Sequence, residues 1–312
     1  MRKKLLWIVN TIFPYPAKEL GMKKTSFGGW LNSLSDTLKK SNDFELAIAT
    51  VYNGKEMKKM DDGHLVYYLL PGAPALKYDK KLEKYWKIIN EEFKPDLVHI
   101  NGTEFAHGLA FINACPNVTT VTSIQGLVSV YANVYYANIP VKDIIKNITF
   151  RDIIRKDNII QGRKKFIKRG KNEIEILKRT NAITGRTIWD YSNVQAINPD
   201  VKFYWSNRIL REEFYKSKKW NIFNIERHTI FCSQAGYPIK GLHYMIEAAN
   251  NLKEKYPDIK VYVAGQNITK SDTIKEKMKI SGYGKYIKRL IKKYNLEKNI
   301  VFTGVLNAQE MV

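Results

Sequence analysis

SQAGYPIKGLHYMIEAANNLKEKYPDIKVYVAG, residues 233 to 265, follows the short apolar run Thr229 to Cys232. A polar loop runs to Lys240-Gly241. A helical period then spans Leu242 to Tyr256, and a second apolar run, Lys260 to Ala264, ends in Gly265. Strand, helix and strand in that order predict a parallel βαβ unit whose loops gather at the strand ends. Downstream the alternation continues with a helix over Tyr283 to Tyr294 and a strand over Ile300 to Phe302.

The same alternation fills the first half of the chain. Leu5 to Val9 reads as a buried parallel strand. A helix follows with Trp30, Leu31, Leu34 and Leu38 at helical spacing. Phe44 to Val51, Leu65 to Leu70, Leu97 to Ile100, Val118 to Ser123 and Ala182 to Thr184 are strand-like, and a helix carrying Tyr85, Trp86, Ile88, Ile89 and Phe93 stops before Pro95. Asn207 to Glu226 is charged and aromatic without a clean period, which marks it as a hinge. The reading is α/β, with a first Rossmann-like domain over 1–206, a hinge over 207–227 and a second Rossmann-like domain over 228–312. About three strands stand in the second domain where an open doubly wound sheet usually has five or six, so that domain reads as incomplete.

Composition narrows the class. The chain has 312 residues, 44% of them hydrophobic, and a formal net charge of +22. No apolar run approaches the roughly 20 residues that span a bilayer. The basic start is followed by too short an apolar stretch for a signal peptide. Cys115 and Cys232 lie far apart, and no Cys/His spacing resembles a metal site, so no metal is expected and a reduced cytoplasm fits. The charge predicts anionic partners, namely phosphates, an acidic membrane surface or nucleic acid. Pro140 to Lys171 interleaves Ile144, Ile145, Ile148, Ile153 and Ile154 with Lys and Arg, as helices with one apolar and one basic side do.

Candidate site residues fall at predicted strand ends. Gly28-Gly29 opens the first helix, where bare backbone amides can meet a diphosphate; an ordinary tight turn reads the same way. Lys240 points a cation toward the edge where such sheets bind ligands, or is a solvated lysine. His107 and Glu104 follow the strand ending at Ile100, and Gln125 follows the strand ending at Ser123. An amide that both donates and accepts suits sugar hydroxyls. His107 is as readily loop packing, and Glu104 a solvated carboxylate. Arg186 follows the short strand at Ala182 and suits phosphate.

Taken together, these positions resemble family 4 of the retaining nucleotide-sugar glycosyltransferases, which have the GT-B fold of two Rossmann-like domains. The stretch from Ser233 to Gly265 carries most of the likeness, supported by IVFTG at Ile300 to Gly304, PDLVHINGTEF and TSIQGL. The resemblance implies transfer of a sugar, with retention, from a nucleotide-sugar co-substrate to a saccharide or lipid-linked acceptor, in cell-surface polysaccharide synthesis, without a cofactor. It implies that Gly28 and Gly29 approach the donor diphosphate and that Lys240 neutralises it. Ser233, Arg186 and Gly265 would complete the donor site, with the backbone of Gly304 and Val305 near the nucleobase. Gln125, His107 and Glu104 would act at the sugar. Gln125 stands where many relatives carry His, and Gln234 where many carry Arg. A Glu-rich motif expected further on is not reached, so the chain by itself is expected to transfer little sugar. The other readings are a non-catalytic binding fragment, a nucleotide-sugar epimerase of the same fold, and a basic nucleic-acid-binding protein. No RNP, KH or zinc motif supports the last, so nucleic acid is not an expected partner. The expected location is the cytoplasm, with peripheral attachment to an anionic inner membrane.

Overall fold

The computed structural model describes residues 2–22, 29–73 and 77–312. The chain divides into two compact units, one made of Met1–Val130 and Lys165–Glu212, the other of Tyr131–Lys164 and Glu213–Val312.

The first unit begins with β1 (Lys3–Ile8), α1 (Pro14–Glu19) and α2 (Gly29–Lys39), followed by β2 (Phe44–Tyr52), β3 (Lys58–Asp61) and β4 (Val66–Pro71). Next come α3 (Leu82–Phe93), β5 (Leu97–Asn101), α4 (His107–Ala114), β6 (Thr120–Ser123) and α5 (Val128–Tyr131). After α6 (Val141–Lys146) and α7 (Phe150–Arg155), which belong to the second unit, α8 (Ile159–Arg179) leads back to β7 (Ala182–Gly185), α9 (Ile188–Ile197) and β8 (Lys202–Trp205).

The eight strands lie in the order β3-β4-β2-β1-β5-β6-β7-β8. All neighbours pair in parallel except β3, which pairs antiparallel with β4. Strand alternation supplies two cores. Leu6 and Ile8 of β1 face one side and pack with Trp86, Ile89 and Phe93 of α3, Phe111 of α4 and Ile176 of α8. Leu5 and Trp7 face the other side and, with Val9 just past the strand, pack with Phe13 and with Leu31 of α2. Each such buried aliphatic or aromatic side chain contributes about 1.5–3 kcal/mol relative to exposure, which is why β1 reads as an unbroken apolar run.

Two strands escape the sequence reading. β3 is Lys-Lys-Met-Asp with no buried residue, held as an edge by its pairing with β4. The connecting turn is closed by Asp62, whose Oδ1 accepts from the amides of His64 and Leu65 at 3.0 and 2.8 Å. β8 is the opposite edge, with Tyr204 and Trp205 exposed. Edge strands bury little, so their sequences lack the apolar signature of central ones.

The second unit contains α10 (Glu212–Lys216) at its border, β9 (Thr229–Cys232), α11 (Leu242–Lys253), β10 (Lys260–Ala264), α12 (Ile274–Lys277), α13 (Gly282–Lys293) and β11 (Ile300–Gly304). Its three strands are parallel in the order β11-β10-β9. β9 and β10 begin and end at the residues read from the sequence. Val261 and Val263 of β10 are buried, as are Leu242, Ile246 and Ala249 of α11 and Tyr283, Ile287 and Leu290 of α13.

Residues 131–164, assigned by chain order to the first domain, pack with the second unit. The reason is a buried polar junction. Asp152 closes a capping box with Thr149 at the start of α7 and also accepts from the Gly282 amide at 2.8 Å, at the start of α13. Thr149 Oγ1 donates to the Ile280 carbonyl at 3.0 Å. A Cβ on Gly282 would stand 2.6 Å from Asp152 Oδ2 and 3.0 Å from the Asn147 carbonyl, so the junction requires glycine there. His243 of α11 donates through Nε2 to the Ala137 carbonyl at 2.9 Å. Hydrogen bonds of this kind join positions more than a hundred residues apart and leave no periodic trace in the sequence.

Candidate functional site

In the first unit the chain turns at the C-terminal ends of β1, β5, β6 and β7, which are neighbours in the sheet. The strand order reverses between β1 and β5, because β2 and β4 extend the sheet to one side and β5 to β8 to the other. Ligands of open α/β sheets bind at such a reversal. At this reversal, Asn10 Nδ2 donates to Glu104 Oε2 at 3.3 Å. Beside it Gln125 Nε2 donates to the Asn101 carbonyl at 2.9 Å. Gly102, with φ +101°, lies beneath all three side chains. A Cβ there would collide with Glu104 Oε2 and stand 2.7 Å from Asn10 Nδ2 and 3.0 Å from Gln125 Nε2. The glycine supplies both the left-handed backbone and the space in which the three polar groups converge.

Burial governs the electrostatics. Removal from water, reinforced by the nearby Glu173 charge, pushes the Glu104 carboxyl up to about 7, against the opposing pull of Arg169 and Arg208. Arg169 Nε donates to the Glu104 backbone carbonyl at 2.7 Å and its guanidinium lies 5.3 Å from the Phe105 ring centre. A carboxyl that titrates near neutrality can accept from a sugar hydroxyl or share a proton with it. Arg186 is exposed at the end of β7, its Nη2 3.4 Å from the Gln125 carbonyl.

Behind this edge stands Glu173 of α8, fully buried. Its carboxylate accepts from Thr103 Oγ1 at 2.6 Å, from the Val128 and Ser129 amides at 3.1 and 2.8 Å, and from Ser129 Oγ at 2.5 Å. Glu173 thus ties the loop that carries Glu104 to the loop that carries Gln125. It looks in sequence like one more charge on a basic helix.

The histidines lie deeper. His107 opens α4, buried and stacked on Phe105 at 5.9 Å, and burial pulls it down to about 4, so its ring is neutral. Its Nδ1 is buried without a hydrogen-bond partner among the described residues. The structure therefore places His107 behind the polar cluster. His99, also held near 4 by burial, has Nε2 2.6 Å from Ser123 Oγ.

The second unit presents a matching edge at the ends of β9, β10 and β11. Ser233 follows β9 and is exposed. Lys240 ends a single 3₁₀ turn, Pro238–Lys240, with its ammonium 5.6 Å above the Tyr237 ring. Gly241, at φ +76°, caps α11 without a side-chain bond, so the first amides of that helix keep their donors free of a capping side chain. Gly265 and Gly304 have φ of +105° and +83°, and the Gly265 amide donates to the Gly304 carbonyl at 2.7 Å. A Cβ at Gly265 or Gly304 would meet nothing within 4 Å, so the backbone here is open to an approaching ligand. Val305, just beyond, is exposed. The candidates Ser233, Lys240, Gly265, Gly304 and Val305 thus lie at or after the C-terminal ends of the strands of one sheet.

Gly28 lies outside the described residues. Gly29 opens α2, and a Cβ on it would come within 2.7 Å of Arg211 Cδ. Among the described residues no group of three or more His, Cys, Asp or Glu could hold a metal ion. Sequence reading missed Asn10, Arg208 and Glu173. Only Asn10 carries a signal, as the first polar residue after a buried strand.

Residues 214–312 match the family model of the glycosyl transferases group 1. The chain has the GT-B fold. Solved structures with that architecture align along nearly its whole length. Sucrose-phosphate synthase from Thermosynechococcus elongatus superposes with a TM-score of 0.56 at 12% identity, over 99% of this chain and 72% of that one. Anabaena HepE in complex with UDP and glucose gives 0.55 at 13% identity, over 98% and 70%. The α,α-trehalose 6-phosphate synthase of Burkholderia multivorans gives 0.52 at 10% identity, over 99% and 74%. At such identities the likeness carries the GT-B fold alone. No curated protein sequence matches the chain. The family match covers β9, β10 and β11 and every donor-side candidate of the GT-B second unit, which supports glycosyl transfer.

Proposed function

We propose that this chain moves a sugar from a nucleotide-sugar to an acceptor hydroxyl with retention, as a member of the family 4 type, on a saccharide or lipid-linked acceptor in cell-surface polysaccharide synthesis. The observation that carries this reading is the glycine-opened edge of β10 and β11 beside Lys240, inside the stretch matched by the group 1 model. Lys240 and the amides at the start of α11 neutralise the donor diphosphate, and the backbone at Gly304 and Val305 takes the nucleobase. The anomeric C–O bond to the diphosphate breaks while the acceptor oxygen bonds the same carbon from the same face. The acceptor proton passes to the departing phosphate oxygen. On the first unit, Glu104 and Gln125 offer an acceptor and a donor for hydroxyls of a bound saccharide.

Lys240→Ala tests the donor side. Loss of a charge-assisted contact to phosphate is worth about 1.5–3 kcal/mol, so calorimetry should show UDP or UDP-sugar affinity falling by about 10- to 150-fold. Unchanged affinity removes Lys240 from the site, and failure of the native chain to bind any nucleotide-sugar removes the transferase reading.

We also propose that α6 and α7 rest on an anionic membrane, at the cytoplasmic face of the inner membrane, where a lipid-linked acceptor would be found. Ile144 and Ile159 are buried, but Val141, Ile145, Phe150, Ile153 and Ile154 are more than half exposed, next to the exposed Lys142, Lys146, Arg155 and Lys156. Exposed apolar side chains among cations suit an interfacial surface. Among the described residues no helix is long and apolar enough to cross a membrane. Each cation near an anionic surface contributes about 1 kcal/mol, so Lys142→Glu with Lys146→Glu should reduce co-sedimentation with phosphatidylglycerol vesicles at least tenfold. Equal sedimentation of native and variant proteins would remove the membrane from this proposal.

A further inference from the structure

Among the described residues, two guanidinium groups at the acceptor-side edge lie without an acid in ion-pair contact. Arg208, in the segment after β8, is half-buried and donates through Nη2 to the Ile124 carbonyl at 3.3 Å. Its guanidinium carbon lies over the Trp30 ring of α2, 4.1 Å from the ring centre. Arg186 reaches the next carbonyl, that of Gln125, at 3.4 Å. The two cations are therefore seated on consecutive carbonyls of the loop after β6. Among the described residues neither forms an ion pair within 4.0 Å. The acid nearest to Arg186 in sequence, Asp190, already serves the amides of Arg186 and Thr187 at 2.9 and 3.1 Å as part of the α9 capping box. Burial and the Arg186 charge pull Arg208 down to about 10, and the Glu104 and Asp190 charges oppose this from beyond ion-pair distance.

Cations held side by side in a partly desolvated place repel each other unless an anion joins them. Guanidinium forks match phosphate oxygens in geometry, and stacking on an aromatic ring keeps one fork oriented before the ligand arrives. Glu104 and Gln125 stand on the same loops as acceptors and donors for hydroxyl groups. We infer that Arg186 and Arg208 form a phosphate subsite on the first unit, so that the acceptor is a hydroxylated phosphate ester, either free or as a lipid headgroup. This rests on the acceptor side proposed above for the first unit; the donor diphosphate is assigned to Lys240 on the second.

The test measures glucose 6-phosphate, glucose and UDP by calorimetry, and phosphatidylglycerol against phosphatidylcholine vesicles by co-sedimentation. Proteins compared are the native chain, Arg186→Gln, Arg208→Gln, the double variant, Arg208→Lys, and Lys218→Gln with Lys219→Gln as a control for the general positive charge. The double variant should lose at least tenfold in affinity for the phosphate probe that binds, with Arg208→Lys intermediate and the lysine control and UDP affinity unchanged. Arginine-dependent binding of glucose 6-phosphate identifies a soluble ester, and arginine-dependent binding of phosphatidylglycerol alone identifies a headgroup; both uphold the subsite. If Arg208→Gln fails to fold, the exposed Arg186→Gln decides: a severalfold loss upholds the subsite, and no loss overturns it. Equal phosphate binding by all variants, no phosphate binding by the native chain, or a UDP loss as large as that of Lys240→Ala overturns it. If the native chain binds glucose 6-phosphate through the arginines but no nucleotide-sugar, the subsite stands and the transferase reading falls.

Discussion

Glu173→Ala should destabilise the first unit by about 3–5 kcal/mol. The substitution leaves the Val128 and Ser129 amides and the Thr103 and Ser129 hydroxyls facing a cavity in place of a carboxylate. Each buried donor left unpaired costs about 1–3 kcal/mol, less what relaxation and entering water recover. Denaturant unfolding followed by tryptophan fluorescence reads the change directly. Glu173→Gln keeps one acceptor oxygen and should lose roughly half as much. If Glu173→Ala costs under about 1 kcal/mol, the two loops do not depend on this carboxylate, and its part in placing Glu104 and Gln125 fails. With stability restored by low temperature, the alanine variant should still bind sugar ligands weakly, since the loops at Thr103 and Val128 are no longer tied together.

Glu104→Gln should act in the opposite direction on stability. The folded-state carboxyl sits at about 7 against an ordinary value of 4.5, with burial as the first cause. Between these values the folded chain binds a proton that the unfolded chain releases. By linkage, the stability contributed by protonated Glu104 is fully present below about pH 4.5 and is lost as pH rises through 7, in total about 3 kcal/mol. The amide carries no charge, so the variant should match the native chain near pH 4.5 and exceed it by about 2–3 kcal/mol at pH 8. Thermal unfolding across this range checks the sign. A native chain whose stability does not fall relative to the variant between pH 5 and 8 would show Glu104 to be solvated. Sugar binding should move the other way, because a carboxylate holds a sugar hydroxyl more strongly than an amide. A gain in stability paired with a loss in ligand binding is the usual signature of a functional residue.

The amino-acid sequence by itself determined the strand-helix alternation, its restart after Thr229 and the bounds of β9 and β10. Apolar runs at Leu5, Phe44 and Lys260 and the helical period at Leu242 are local, and local patterns survive without knowledge of their neighbours. Lys240, Gly265 and Gly304 were legible for the same reason: each ends or follows its own strand or turn. Only the tertiary structure decided the rest. β3 and β8 exist because a neighbouring strand offers its edge. Residues 131–164 join the second unit because Asp152 finds the Gly282 amide, and no period announces such a meeting. The polar cluster at the edge of the first sheet draws on Asn10, Gly102, Gln125, Arg186 and Arg208, which the fold brings together from positions far apart in the chain. Whether a carboxylate is a solvated charge, like most on this surface, or a half-buried group pushed up to about 7, like Glu104, depends on how much water the fold removes from around it. That quantity belongs to packing and is not written in residue order.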